Sequence, residues 1–164
     1  MIMRDELSQK LIEKWPRIFV RNEYRPDTFR YSYVYPGVGD GWFDILDSVC
    51  GLIESHQKNL ERAGYQILDM RNTFEDAESS AGDKVIWAVQ ALQIKEKFGG
   101  LRFYTKGGDD YTSGIIAMAE SMSYRTCEQC GKPGSPRDDI WIATLCDEHH
   151  ETEVKRRAEN HQRP

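Results

Sequence analysis

At 164 residues, with 22 Lys+Arg against 27 Asp+Glu and a formal net charge of −5, the chain has room for one domain, or one domain with a small appended module. No apolar run approaches the ~20 residues of a membrane span, and the opening MIMRDELSQK lacks an apolar stretch long enough for a secretory signal. A soluble, cytoplasmic protein with no membrane partner is therefore expected. The 4 Trp, 8 Tyr and 6 Phe offer ample burial and argue against disorder. Mild acidity argues against a general nucleic-acid coat protein but says nothing about a local basic patch.

Residues 5–15 place Leu7, Leu11, Ile12 and Trp15 at helical spacing, and Pro16 stops that helix. Residues 17–39 read as irregular or short extended structure, with Phe29, Tyr31, Tyr33 and Tyr35 alternating before Pro36-Gly37. Asp40 is the expected N-cap of a second helix, whose apolar stripe runs through Trp42, Ile45, Leu46, Val49, Ile53 and Leu60 as far as Gly64. Residues 65–70 suit a strand, and 72–84 are polar and read as a loop.

Residues 85–106 read as a β-hairpin turning at Gly99-Gly100, a register that sets Lys97 opposite Arg102 and Lys95 opposite Tyr104. Ile94, Phe98, Leu101 and Phe103 then share one face, and Lys95, Lys97, Arg102, Tyr104 and Lys106 the other. Glu96 falls on the apolar face, which calls for an Arg partner or the edge of a pocket. A short helix over 111–124 leads into the cysteine cluster.

Cys50 sits alone on the apolar stripe and reads as a packed thiol, whereas Cys127, Cys130 and Cys146 cluster. With His149 they form a CxxC–x15–CxxH pattern. Two intervening residues let a tight knuckle present both sulfurs to one ion, and Gly131 suits the left-handed conformation that closes it. The spacer has room for a hairpin over 139–144, with Trp141 and Leu145 beneath the metal and Cys146 and His149 on the first turn of a final helix. The order of knuckle, hairpin and helix resembles a treble-clef zinc finger. Structural Zn²⁺ held by Cys127, Cys130, Cys146 and His149 is expected, and the CxxH spacing favours His149 over His150. A thioredoxin-like redox pair would open a helix, but here Gly131, Pro133, Gly134 and Pro136 follow the pair. Three thiolates against one Zn²⁺ would take the charge from −5 to about −6.

Treble clefs also underlie HNH nucleases, which need an Asp-His pair on the hairpin. No His lies between Cys130 and Cys146, so nuclease chemistry is not expected. GxSxG, GxxxxGK[ST], HExxH and the dinucleotide fingerprint are absent. Asp40, Asp44 and Asp47 lie near one helix start, where the helix dipole alone accounts for carboxylates. Lys95, Lys97, Arg102, Lys106 and Tyr104 form the best candidate binding surface, able to hold phosphates while the ring stacks on a base. The alternative is the solvated outer face of a half-buried hairpin. The basic tail from Lys155 suits a helix C-terminus without any ligand.

Three segments together, Gly39-Asp40-Gly41-Trp42-Phe43, Ile94-Lys95-Glu96-Lys97-Phe98-Gly99-Gly100-Leu101-Arg102-Phe103-Tyr104, and the cysteine cluster with Gly131, make the chain resemble a group of small, largely uncharacterised bacteriophage and prophage proteins over roughly residues 37–150. The resemblance implies a phage protein acting inside a bacterial host and carries over no enzymatic activity. The expected fold is α+β: a small antiparallel sheet packed by helices, residues 1–123, followed by a treble-clef-like zinc module, residues 124–164. The expected function is a non-catalytic, zinc-stabilised protein that binds and modulates or inhibits a host macromolecule, foremost a host protein such as an antiviral defence component. Two alternatives are a nucleic-acid or nucleotide binder using the basic hairpin face, and an enzyme with a carboxylate site around Asp40, Asp44 and Glu96.

Overall fold

The computed structural model describes residues 2–21, 33–69, 84–138 and 141–161. Helix α1 spans Asp5–Lys14, with Asp5 and Glu6 in its first turn and Lys14 in its last, as the helix dipole favours. It buries Leu11 and Ile12, and Ile18 and Phe19 bury themselves just beyond it. The Trp15 indole N–H donates to Asp47 Oδ1 at 2.8 Å and the Lys14 ammonium to Oδ2 at 2.8 Å, which pins α1 to the next helix. Of the aromatic strip, Phe29 and Tyr31 lie outside the described residues, and Tyr33 and Tyr35 pack half-buried against the core.

A 3₁₀ turn, Asp40–Trp42, leads into helix α2, Phe43–Arg62. Asp40 is not the expected N-cap. Its carboxylate accepts the Arg4 main-chain N–H at 2.8 Å and the Arg4 Nε at 2.5 Å, so the segment before α1 has taken the acceptor that a cap would have used. The apolar stripe is as expected: Trp42, Ile45, Leu46, Val49 and Ile53 are buried and Leu60 is half-buried. Gly64, at φ +86, lies just past the helix end. Cys50 is buried in this stripe as a packed thiol, and burial pushes its pKa up.

The hairpin differs from expectation in three ways. Its first three residues form a separate strand, β2 (Val85–Trp87), which pairs in parallel with β1 (Gln66–Leu68). The antiparallel pair is β3 (Gln90–Lys97) with β4 (Gly100–Lys106), and a bulge at Leu92 separates the Ala91 and Gln93 pairings. The turn is Phe98-Gly99, not Gly99-Gly100, so every cross-strand partner from the turn to the bulge shifts by two residues and Lys95 faces Arg102 while Glu96 faces Leu101. Both turn residues have positive φ, Phe98 +53 and Gly99 +77, the type I′ pattern that matches strand twist. Phe98 consequently leaves the apolar face and is 63% exposed. Of the expected polar loop at 72–84, only Lys84 is among the described residues.

Helix α3 (Asp110–Ser123) has Asp109 as its N-cap, accepting from the Thr112 N–H at 3.0 Å. It lies along the outer edge of β4, where Leu101 N–H donates to Ser123 Oγ at 2.8 Å and Phe103 N–H to Glu120 Oε1 at 3.1 Å. Side chains of a helix thus satisfy edge amides that would otherwise template aggregation. The core joins α1, α2 and the inner face of β3–β4 through Leu46, Ile53, Ile94, Leu101 and Phe103. The C-terminal part comprises β5 (Ser135–Arg137), β6 (Ala143–Leu145) and helix α4 (Asp147–His161), giving a mixed α+β fold of four helices and small two-stranded sheets among the described residues. Here too the hairpin strands sit earlier and later than the expected 139–144. Among the described residues, no helix is long and apolar enough to cross a membrane.

Candidate metal centre

The C-terminal cluster is assembled from three local structures. The turn Cys127–Cys130 closes through the Gly131 N–H, which donates to the Cys127 carbonyl at 2.9 Å with Gly131 at φ +76. The Cys127 N–H returns to the Lys132 carbonyl at 2.8 Å. The β5–β6 hairpin then delivers Cys146 to the start of α4, and the first turn of α4 carries His149 back over the knuckle. One donor atom from each of Cys127, Cys130, Cys146 and His149 lies within 4.8 Å of all the others. Specifically, Cys130 Sγ and Cys146 Sγ are 3.8 Å apart, and His149 Nδ1 is 3.5 Å from Cys127 Sγ and 3.1 Å from Cys146 Sγ. No disulfide forms, since 3.8 Å is far beyond the ~2.05 Å of an S–S bond.

His149, not His150, completes the set. The His150 N–H donates to the Cys146 carbonyl at 2.9 Å, and its ring lines a groove on the other side of α4. Burial works against the charged form of Cys127, but main-chain N–H groups of Cys146, Cys130 and Gln129 outweigh it and hold its pKa below the ordinary thiol value. Those amides favour the thiolate that binds metal. Leu145 is buried beneath the cluster as expected, whereas Trp141 is 64% exposed and does not pack there.

The knuckle is seated on the Gly39–Phe43 segment, a role the sequence reading did not give to its alternating glycines. The Gly39 N–H donates to Glu128 Oε1 at 2.9 Å, the Gly41 N–H to the Glu128 carbonyl at 2.8 Å, and the Trp42 indole N–H to the Thr126 carbonyl at 2.8 Å. A Cβ on Gly39 would lie 2.3 Å from the Glu128 carbonyl oxygen, and one on Gly41 2.1 Å from that of Cys127, so only glycine allows this approach. Glu128 is buried; burial raises its pKa, the Gly39 bond opposes, and the charge of Glu96 adds to the rise. The β3–β4 turn grips the module from another side. Thr144 Oγ1 donates to the Gly99 carbonyl at 2.6 Å, and the Glu128 N–H donates to the Thr144 carbonyl at 2.9 Å. These contacts cross the boundary expected at 123/124.

The candidate basic face is only partly gathered. Lys95 Nζ lies 5.2 Å from the Tyr104 ring centre and Lys97 Nζ 5.4 Å from that of Phe98. Arg102 turns aside, donating to Tyr124 Oη at 2.9 Å and to the Leu101 carbonyl at 2.6 Å, with Glu120 at 3.8 Å. Lys106 is half-buried at the far end of β4. Facing Lys95 across the strands, Arg102 escapes like-charge repulsion by this turn. The acidic residues of the third reading do not converge: Asp40 holds Arg4, Asp44 is exposed, and Glu96 is half-buried and accepts the Gly99 N–H at 2.6 Å instead of pairing with an Arg. No family model matches the chain, and neither a curated protein nor a solved structure does.

Proposed function

We propose that the four-residue cluster holds a structural Zn²⁺ and that the chain is a non-catalytic binding protein, of the phage-encoded kind its motifs resemble, that acts by occupying a macromolecule of the host. The supporting observation is the closed S₃N donor set. Three thiolates and an imidazole suit Zn²⁺ over harder cations. An ion at about 2.3 Å from sulfur and 2.0 Å from nitrogen in a tetrahedron sets donor separations of about 3.8 and 3.5 Å. The observed 3.8, 3.5 and 3.1 Å lie close to those values, and four protein ligands leave no position for a reactive water. When bound, the ion supplies folding energy and no chemistry; Cys127, Cys130, Cys146 and His149 hold it, and Gly39, Gly41 and Trp42 hold the knuckle that carries them. Free thiolates of this kind persist in a reducing compartment, consistent with action in the bacterial cytoplasm.

Elemental analysis of the purified chain tests the metal, with one zinc per chain expected and substantially less contradicting it. The binding role is tested by affinity capture with the zinc-loaded chain, followed by reconstitution from purified components. Recovery of neither a protein nor a nucleic acid that re-forms the complex contradicts that role.

A further inference from the structure

Between the β5–β6 hairpin and α4 runs a groove of about 490 Å³, on the face of α4 that carries His150. Ala143, Leu145 and Val154 give it an apolar floor. Its rim carries Arg137, Arg156 and Arg157 against one lining carboxylate, Glu153. Arg156 and Arg157 both donate to that carboxylate, at 2.6–2.9 Å. Arg137 pairs with the exposed Asp147, yet its Nε–H is buried with no hydrogen-bond partner. Trp141, also lining the groove, leaves 64% of its surface open.

The hairpin turn of the core lies next to Ile142, the sequence neighbour of Trp141: a Cβ at Gly99 would sit 3.1 Å from Ile142 Cγ2. There Phe98 is 63% exposed with the Lys97 ammonium over its ring. Two open aromatic rings are thus at hand: Trp141, in the groove that Arg137, Arg156 and Arg157 also line, and Phe98, on the adjoining turn with the Lys97 ammonium over its ring. An acidic peptide would use the cations and leave the rings idle. A duplex would offer phosphates but keep its bases stacked on each other. Only a strand with free bases uses both, with rings stacking on rings and phosphates meeting guanidinium groups.

We propose that this groove, centred on Trp141 and extended by Phe98 and Lys97, binds single-stranded nucleic acid. The inference rests on the binding-protein reading above and names the class of partner. It places the contact away from the outer face of β3–β4 that the sequence suggested.

Fluorescence anisotropy with a labelled oligothymidylate, on protein whose zinc content has been measured, tests it. Binding is expected to weaken by about tenfold or more when salt is raised about fourfold, because contacts with a few phosphates release counterions. Trp141→Ala should weaken binding about tenfold, while Trp141→Phe retains most of it. Arg137→Gln with Arg156→Gln should flatten the salt dependence. A zinc-loaded, folded chain that does not bind the oligonucleotide overturns this inference and leaves the metal reading standing. So does binding that Trp141→Ala leaves unchanged, or a polyglutamate peptide that displaces the oligonucleotide as well as unlabelled oligothymidylate does. A chain without zinc defeats the metal reading and, with it, the groove whose walls the ion holds together.

Discussion

The main-chain N–H of Gly41 donates to the carbonyl oxygen of Glu128 at 2.8 Å, across 87 positions of sequence, and this bond joins the α2 entry to the Cys127–Cys130 knuckle. A Cβ on Gly41 would meet the Cys127 carbonyl oxygen at 2.1 Å and the Gly131 nitrogen at 2.4 Å, both rigid main-chain atoms. Gly41→Ala should therefore destabilise the chain by about 1–3 kcal/mol or more, the cost of overpacking a filled site. It should also speed loss of metal to a chelator. Gly114, in the middle of α3, has nothing within 4 Å of its would-be Cβ. Gly114→Ala should instead stabilise by about 0.5–1 kcal/mol, through helix propensity alone. Thermal denaturation of the two variants side by side checks the contrast.

Trp42 is fully buried and donates its indole N–H to the Thr126 carbonyl at 2.8 Å. Trp42→Phe keeps an aromatic ring but leaves that carbonyl without the donor and opens a small void. A loss of about 1–3 kcal/mol is expected, from the unsatisfied group alone. If the link to the knuckle matters, the same variant also binds zinc more weakly in a competition titration with a chromophoric chelator. An unchanged zinc affinity would show that the indole bond serves the core only.

The gathering of Cys127, Cys130, Cys146 and His149 was legible from spacing because it depends on local geometry that a few residues encode. The register of the β3–β4 turn was not, although Gly99-Gly100 has the composition of a two-residue turn. Gly100 is glycine for a tertiary reason: a Cβ there would lie 2.3 Å from the Tyr124 ring. Gly99 supplies one positive-φ position and is also held by Glu96, through its N–H, and by Thr144, through its carbonyl. With one glycine committed to packing, Phe98 takes the other left-handed position at φ +53. Asp40 misled for a similar reason, since its N-cap chemistry was spent on Arg4. The role of Gly39 and Gly41 was invisible because their partners lie in the knuckle, far along the chain. The apolar stripe of α2 was readable throughout, because a 3.6-residue period survives any choice of partner.

Two carboxylates make the fold acid-sensitive. Asp109 is partly buried, which works against its charge, but bonds from His56 at 2.7 Å and from Thr112 at 3.0 Å outweigh burial and lower its pKa. At Asp47 burial is likewise outweighed by the bonds from Lys14 and Trp15. A carboxyl with a folded pKa below its unfolded value of about 3.9 binds protons more readily when unfolded. Its contribution is fully present above that value and is lost as pH falls through the folded one. Stability should therefore fall below about pH 4 and change little from these groups above pH 5. Asp109→Ala removes the α3 cap, so a loss of about 1 kcal/mol near neutral pH is expected, together with a shallower acid slope. Urea midpoints measured across pH 3–6 for wild type and variant check both.

The central claim is that the metal holds the whole fold, since the knuckle is bonded to Gly39, Gly41, Trp42 and Thr144 and is not an independent appendage. Thermal unfolding before and after complete metal removal, followed by core tryptophan fluorescence, tests it most directly. A single transition lowered by more than about 10 °C is predicted, because structural zinc is worth several kcal/mol and each moves the midpoint of a chain this size by about 2–4 °C. A demetallated chain that melts at the same temperature as the zinc-loaded one would contradict it.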